Sequence, residues 1–286
     1  MKVKSFAKVN LGLEVLKKRE DGYHEIRTLF QTIDLFDVLE FRTGTNEKII
    51  LLGDDESVPW NEDNLVFKAA HLLKKRFNIS QGIEVQVRKN IPSGKGLGGG
   101  SGNAALVLYA LNQIWSLKLS KKELIELGKT IGADVPYFLE GGLCLGTERG
   151  DKITPLDDLA PLHCLLVLPS FSISTFSVYR DFELTLTSRD KDSKIIKFLA
   201  DKDIRSLENR LEETIFSQYP QLRDIKNLFQ RLGSELTLVS GTGSAVFGIF
   251  SDGDEAKRGL NELKENYPSL LRKTLSRESY WNRIGV

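Results

Sequence analysis

The sequence predicts an α+β protein, because strand-like and helix-like segments are mixed without strict βαβα repetition. Two further observations shape that reading. At 286 residues the chain is long enough for two modest domains or one large one. A run of glycines, Gly94 to Gly102, stands between an alternating strand pattern and a helical one, which is the geometry of a site.

The elements follow in order. Residues 2–16, 24–42 and 47–52 read as strands, so the first part is strand-rich. Leu65–Lys75 reads as a helix with Asn64 at its N-cap. Ile83-Glu84-Val85-Gln86-Val87-Arg88 alternates strictly, as a half-buried strand does. Downstream of the glycines, Ala104-Ala105-Leu106-Val107-Leu108 opens a helix, with Leu106, Tyr109, Ala110 and Ile114 at helical spacing. Ser120-Lys121-Lys122-Glu123 is a capping box opening a helix that runs to about Ile131. Gly141 to Gly146 predicts a further strand. Thr154-Pro155-Leu156-Asp157-Asp158 then interrupts the pattern, which divides the chain into residues 1–155 and 156–286. A strand over 163–169, helices over 204–218 and 221–232, a hairpin over 236–250 and a helix over 254–266 complete the prediction.

The most informative stretch is Pro92-Ser93-Gly94-Lys95-Gly96-Leu97-Gly98-Gly99-Gly100-Ser101-Gly102, running into Asn103. Glycine costs backbone entropy, so this density implies backbone N–H groups brought close to something bulky and anionic. The helix start behind the loop adds unpaired N–H groups and a positive dipole end. A flexible linker would be polar on both sides and lead nowhere regular. A P-loop would need a glycine five residues before Gly94 and Ser or Thr in place of Gly96. Gly94-x-Gly96-x-x-Gly99 satisfies a dinucleotide fingerprint, but the strand before it has a polar face. The acidic partner would fall at Glu123, inside the capping box.

The loop resembles P-x-x-x-G-L-G-G-G-S, the phosphate loop of the GHMP kinases. The family's N-terminal segment is matched by Ser5-Phe6-Ala7-Lys8-Val9-Asn10-Leu11, and its C-terminal glycine turn by Ser240-Gly241-Thr242-Gly243-Ser244. All three motifs occur in order and span nearly the whole chain. The resemblance implies a two-domain GHMP kinase fold, ribosomal-protein-S5-like then ferredoxin-like, and ATP with Mg²⁺ as cofactors. Asp21-Gly22-Tyr23-His24 and Gly132-Ala133-Asp134-Val135-Pro136 further resemble the branch of the family that phosphorylates a cytidine diphosphate-linked methylerythritol on the non-mevalonate route to isoprenoid precursors. Another small alcohol, mevalonate- or homoserine-like, and a catalytically silent nucleotide-binding protein are the alternatives.

Several residues carry this expectation. On a strand, Lys8 and Asn10 share one face, a costly pair to bury unless something fills it; an edge-strand lysine facing solvent is the plainer reading. The resemblance puts Lys8 at the reacting hydroxyl and Asn10 on the substrate. Asp134 suits a helix cap or turn, and by resemblance is the catalytic acid/base. An aliphatic alcohol is a weak acid, so Asp134 accepts its proton only as the O–P bond forms, or orients the hydroxyl. Lys8 would be its electrostatic partner. Tyr23 and His24 suit a nucleobase, or a structured loop. Alignment on the family places Thr175 nearby and Tyr179 opposite Tyr23, with Phe171 and Phe176 as competitors. Asn64 borders the adenosine site by resemblance, or simply caps its helix. The turn at Gly241–Ser244 is a hairpin connection that would also complete the pocket.

Two loop positions depart from the family. Lys95 stands where Gly or Ala is common, and is expected either to touch nucleotide phosphates or to face solvent. Gly102 replaces a second Ser, leaving Ser101 as the hydroxyl near magnesium. No carboxylate cluster suits a protein-only metal cage, so Mg²⁺ would be held mostly by ATP oxygens and water. Cys144 and Cys164 lie far apart with no paired histidine, which argues against zinc. A net charge of +1, from 40 basic and 39 acidic residues, argues against nucleic acid or an anionic membrane surface as partner. With two cysteines, no signal-like segment and no spanning apolar run, the expected setting is cytoplasmic, as a monomer or weak homodimer.

Overall fold

A computed structural model describes residues 1–44, 46–182 and 193–285. Two long strands, β1 (Lys2–Lys18) and β2 (His24–Gly44), pair antiparallel and form the spine of the molecule. Then follow β3 (Ile49–Gly53), α1 (Leu65–Arg76), β4 (Gly82–Arg88), α2 (Gly99–Ile114), α3 (Lys121–Ile131), the single turn α4 (Val135–Phe138), β5 (Leu143–Thr147) and β6 (Lys152–Pro155). These strands make one sheet in the order β3-β4-β2-β5-β6, with β1 also on β2. The second part contains β7 (His163–Val167), α5 (Thr175–Asp181), α6 (Lys194–Asp201), α7 (Glu212–Gln218), α8 (Pro220–Arg231), β8 (Leu236–Val239), β9 (Val246–Phe250), α9 (Gly253–Leu263), β10 (Ser269–Lys273) and α10 (Arg277–Ile284). Its sheet has the order β10-β7-β9-β8 and is antiparallel throughout. Among the described residues no helix is long and apolar enough to cross a membrane.

Alternation along the strands decides what is buried. Phe6, Leu39 and Val85 turn to one face of the first sheet and meet Ala105, Leu108 and Phe138 from the helices. Val9, Leu11, Leu29 and Ile33 turn to the other face and meet Leu166, Phe247 and Phe198 of the second part. Both sides of the spine are therefore covered. A third cluster, with Val167, Ile225, Phe229 and Phe250, fills the far side of the second sheet.

The structure differs from the sequence expectation in places that share a cause. The helix expected over 204–218 is interrupted: Ile204–Ser206 forms one 3₁₀ turn, and α7 begins only at Glu212. Between them the backbone runs beside β1, with Leu13 N–H donating to Glu208 and Arg210 N–H donating to Leu13. The segments α4, α5, α6, α10, β6 and β10 are short, and their periodicity alone gives no signal. In the other direction, α2 starts at Gly99, earlier than the alanine run suggests.

The chain ends by returning to its first half. Leu275 N–H donates to Thr32, and the Gln31 amide donates to Leu275. The Tyr280 hydroxyl donates to the Phe138 carbonyl at 2.5 Å, and the Trp281 indole to the Glu140 carbonyl at 2.9 Å. Tyr280 is fully buried and packs where any side chain at Gly141 would stand.

Removing only the Tyr280 hydroxyl leaves the Phe138 carbonyl unpaired in the core, so Tyr280→Phe should cost about 1–3 kcal/mol. Tyr280→Ala should cost about 3–5 kcal/mol, since it also opens a cavity. Urea denaturation of both variants tests this; equal stabilities would show that the ring carries no packing load.

Candidate active site

Lys8 is only 3 % exposed although it carries a charge. Its neighbours explain how that is tolerated. Nζ donates to Asn10 Oδ1 at 2.6 Å, lies 3.5 Å from Asp134 Oδ2, and sits 5.4 Å over the Phe30 ring. The solvent-facing alternative for Lys8 is thereby excluded. Asp134 takes the N-cap position of α4, yet its side chain makes no capping bond, so the carboxylate stays directed at the lysine. Two buried tyrosines hold that short turn: Tyr137 shares a 2.6 Å hydrogen bond with Thr32 Oγ1 and donates to the Gly142 carbonyl, and Tyr280 holds its last carbonyl.

The glycine loop docks on the same strand. Lys8 N–H donates to the Leu97 carbonyl at 3.0 Å. Gly98 is left-handed (φ 72°), and a side chain there would strike Phe138. Gly96 is also left-handed, and an added Cβ would lie 2.0 Å from the Ser240 carbonyl oxygen. These two positions need glycine for close backbone packing. No side chain caps α2, so the first-turn N–H groups are open to an anion. Beneath the loop, the buried Asp37 carboxylate accepts from Asn90 and Ile91 N–H at 2.8 Å each, from Asn103 Nδ2 at 2.9 Å and from Lys89. It ties the loop's entry to its helix.

Two clefts meet here. One, of about 700 Å³, is lined by Lys8, Asn10, Tyr23, His24, Asp134 and Tyr179 among others. The second, of about 350 Å³, is lined by Val58, Pro59, Leu65, Lys89 and residues Pro92 to Ser101. Gly96 and Gly98 border both. The boundary between the two clefts thus lies at the glycine loop, and Lys8 and Asp134 line the larger cleft there.

At the far end of the larger cleft, the His24 ring stacks on Tyr179 with centroids 5.2 Å apart and planes 29° apart. Tyr23, 55 % exposed, instead lies under the Arg149 guanidinium at 5.1 Å, and Arg149 is anchored by Asp151 at 2.6 Å. Sequence reasoning pairs Tyr23 with Tyr179; here each ring has a different neighbour, though both line the cleft. Phe171 stacks on Tyr219 away from the cleft, whereas Phe176 is an exposed ring on its rim. Thr175 and Thr242 share a hydroxyl–hydroxyl bond at 2.9 Å. Burial pushes the Tyr179 phenol up, with the Asp134 charge adding to it. Burial, and then Lys18, hold the His24 imidazolium below its ordinary value of 6.5.

Two residues singled out by the sequence, Lys95 and Gly102, take different places from those expected, while Asn64 takes the helix-cap alternative. Lys95 neither faces solvent nor reaches outward: it is buried and donates to the Phe171 carbonyl at 2.5 Å, which also accepts from Ser244 Oγ. Burial lowers the Lys95 pKa. Gly102 faces β1, where an added Cβ would lie 2.8 Å from Ser5 Oγ, so a serine hydroxyl there would point into the core and not at a phosphate. Asn64 caps α1 through Val66 N–H and donates to the Pro59 carbonyl, which positions a cleft wall without lining the cleft itself. Gly241 approaches the site closely; a Cβ there would be 3.2 Å from Asn10 Oδ1, and Asn209 holds its carbonyl. Sequence reasoning misses Asp37, Arg149 and Asn209. Each stands among other polar or charged residues with no motif to single it out, and only the fold shows what it faces.

Residues 64–142 match the GHMP kinases N terminal domain, and residues 195–269 match the GHMP kinases C terminal domain. The chain is 37 % identical to 4-diphosphocytidyl-2-C-methyl-D-erythritol kinase of Caldicellulosiruptor saccharolyticus, covering 99 % of each. It is 38 % identical to the kinase of the same name from Caldanaerobacter subterraneus subsp. tengcongensis, covering 97 % of this chain and 98 % of that one. A crystal structure of 4-(cytidine 5'-diphospho)-2C-methyl-D-erythritol kinase superposes with a TM-score of 0.80 at 33 % identity, over 96 % and 99 % of the two chains. Homoserine kinase from Cytophaga hutchinsonii shares the fold, with a TM-score of 0.74 at 20 % identity over 96 % and 95 %.

Asp37→Asn leaves the Lys89 charge without its buried partner and should destabilise the protein by about 3–5 kcal/mol. The midpoint of urea unfolding reads this directly. A variant as stable as the parent would show that Asp37 does not anchor the loop.

Proposed function

The chain belongs to the GHMP kinase family, and we propose that it transfers the γ-phosphate of ATP to the 2-hydroxyl of 4-diphosphocytidyl-2-C-methyl-D-erythritol. The observation that carries this reading is a single cleft lined by aromatic rings and by the buried Lys8 paired with a part-exposed Asp134. Full-length similarity to kinases of that name supports it.

In this reading ATP lies in the smaller cleft, with its phosphates on the open N–H groups of α2 and the backbone of the Gly94–Gly102 loop. Gly96 and Gly98 bring the γ-phosphate to the boundary between the clefts. The cytidine base occupies the end formed by Tyr23, His24 and Tyr179, with neutral His24 offering one donor and one acceptor to its edge. Arg149, also on the cleft, supplies positive charge for the substrate diphosphate. The alcohol then lies beside Asp134, which orients it and takes its proton as the new O–P bond forms. Lys8 offsets charge on the transferring oxygens.

Magnesium belongs to this reading as a companion of ATP. Among the described residues no three His, Cys, Asp or Glu side chains gather as a protein-only cage. Ser101 Oγ lies 4.0 Å from a Cβ built at Gly132, which places a hydroxyl near the Asp134 turn. One or two protein oxygens beside phosphate oxygens and water suit the ion. When bound, it would neutralise phosphate charge. Both cysteines are buried free thiols, in keeping with a reducing cytosol as the setting.

Turnover with the cytidyl substrate should exceed that with mevalonate or homoserine by orders of magnitude in a coupled ADP-release assay. No transfer to the cytidyl compound would sink the assignment. Asp134→Asn should lower kcat by about 10²–10⁴-fold, and Lys8→Ala by about 10²–10³-fold, with ATP-analogue affinity nearly unchanged by either. Wild-type turnover in both variants would refute their roles.

The low His24 pKa keeps the ring neutral at neutral pH, and protonation comes only in more acid solution. KM for the cytidyl substrate should therefore rise as the solution is acidified through that depressed value. His24→Asn should abolish this limb. A KM that responds to acid equally in both proteins would assign the effect to another group.

A further inference from the structure

Asn10 Oδ1 faces a cation while its Nδ2 faces a hydroxyl, and this orientation needs a cause. An amide side chain can flip, and the flipped form here would place NH₂ against the Lys8 ammonium. The neighbour that decides the matter is Thr28, fully buried on β2. Its Oγ1 donates to the Gly12 carbonyl at 2.8 Å and accepts from Asn10 Nδ2 at 2.8 Å. The pairing of β1 with β2 shifts register between Asn10 and Gly12, and this irregularity leaves the Gly12 carbonyl to be satisfied by a side chain.

Proton counting then runs one way. A carbonyl only accepts, so the single Thr28 proton goes to Gly12. Toward Asn10 the threonine oxygen presents lone pairs alone. Asn10 must answer with Nδ2–H, which turns Oδ1 to Lys8 at 2.6 Å. One ammonium N–H is thereby fixed, and the remaining two are left for Asp134 Oδ2 at 3.5 Å and for an incoming oxygen.

From this chain of contacts we infer that Thr28 is a positioning residue for transfer: its hydroxyl sets the Asn10 amide, which aims the Lys8 ammonium. The inference rests on the reading of Lys8 as the group that meets the transferring phosphoryl. Thr28 borders the larger cleft but has no exposed surface and acts through Asn10 and Lys8, so its loss should change the rate of transfer more than the occupancy of either cleft.

The test is a steady-state comparison of Thr28→Val, which keeps the shape, with Thr28→Ser, which keeps the hydroxyl. Thr28→Val should lower kcat by about 10- to 100-fold with both KM values within about twofold. Thr28→Ser should return kcat to within about threefold of the parent, because donor and acceptor are restored. In an Asn10→Ala background, Thr28→Val should cost less than about twofold, since the intermediary is already gone. Should Thr28→Val fail to fold, Thr28→Cys replaces it; its thiol is a weak donor and acceptor, so its kcat should fall below that of Thr28→Ser. A folded Thr28→Val or Thr28→Cys with parental kcat overturns the inference, as does an undiminished cost in the Asn10→Ala background. Lys8→Ala, assayed in parallel, separates the two levels: full turnover there sinks the parent reading, whereas loss there with parental Thr28→Val sinks only this one.

Discussion

Burying the Lys8 charge is the constraint on which the rest of the site depends. A desolvated ammonium is costly unless every direction around it is answered. The answers come from separate elements: Asn10 from the same strand, Phe30 from β2, and Asp134 from the turn before α4. None of these could hold the lysine alone. Their convergence requires β1 and β2 to pair in one register and α4 to lie against them, and Thr32 joins the strand to that turn through Tyr137. Charge burial and sheet register are thus two aspects of one arrangement.

The second sheet completes the site by backbone contact more than by side-chain chemistry. Ser240 Oγ donates to the Gly96 carbonyl, Ala245 N–H donates to Lys95, and the Lys95 amine crosses to the Phe171 carbonyl. The glycine loop is therefore clamped between the β1 strand on one side and the turn before β9 on the other. Lys95 is informative because a longer side chain in a glycine loop reads as a phosphate ligand. Its amine is instead spent on the seam between the two parts of the chain.

Much of this is legible in the sequence where local pattern and chemistry coincide. The alternation of β4, the capping box at Ser120 and the glycine run each have a mechanism readable within a few residues. Lys8, Asn10 and Asp134 stand out because their motifs are specific. What stays hidden is nonlocal. β10 is a strand only because β7 offers it an edge, and the 204–218 helix breaks because Asn209 pairs beside Leu13. Asp37 and Thr28 look like ordinary strand residues until the fold shows that one holds four donors and the other links two residues. The aromatic residues of the base end are legible singly but not as pairs, because ring stacking is set by loops whose paths have no period.

The return of α10 to the first sheet has a consequence for how the protein comes into being. Tyr280 lies 142 positions after the carbonyl it holds, so the turn bearing Asp134 is released from the ribosome long before its clasp is made. All four strands of the second sheet are synthesised in the interval, since β10 directly precedes α10. Domains generally settle in the order of synthesis; here the earlier one waits for the later. A nascent chain that has made α4 therefore still lacks the bond that seats the Asp134 turn, just as its glycine loop still lacks the Ser240 and Ala245 contacts. The seating of the Asp134 turn is thus tied to a segment made well after it.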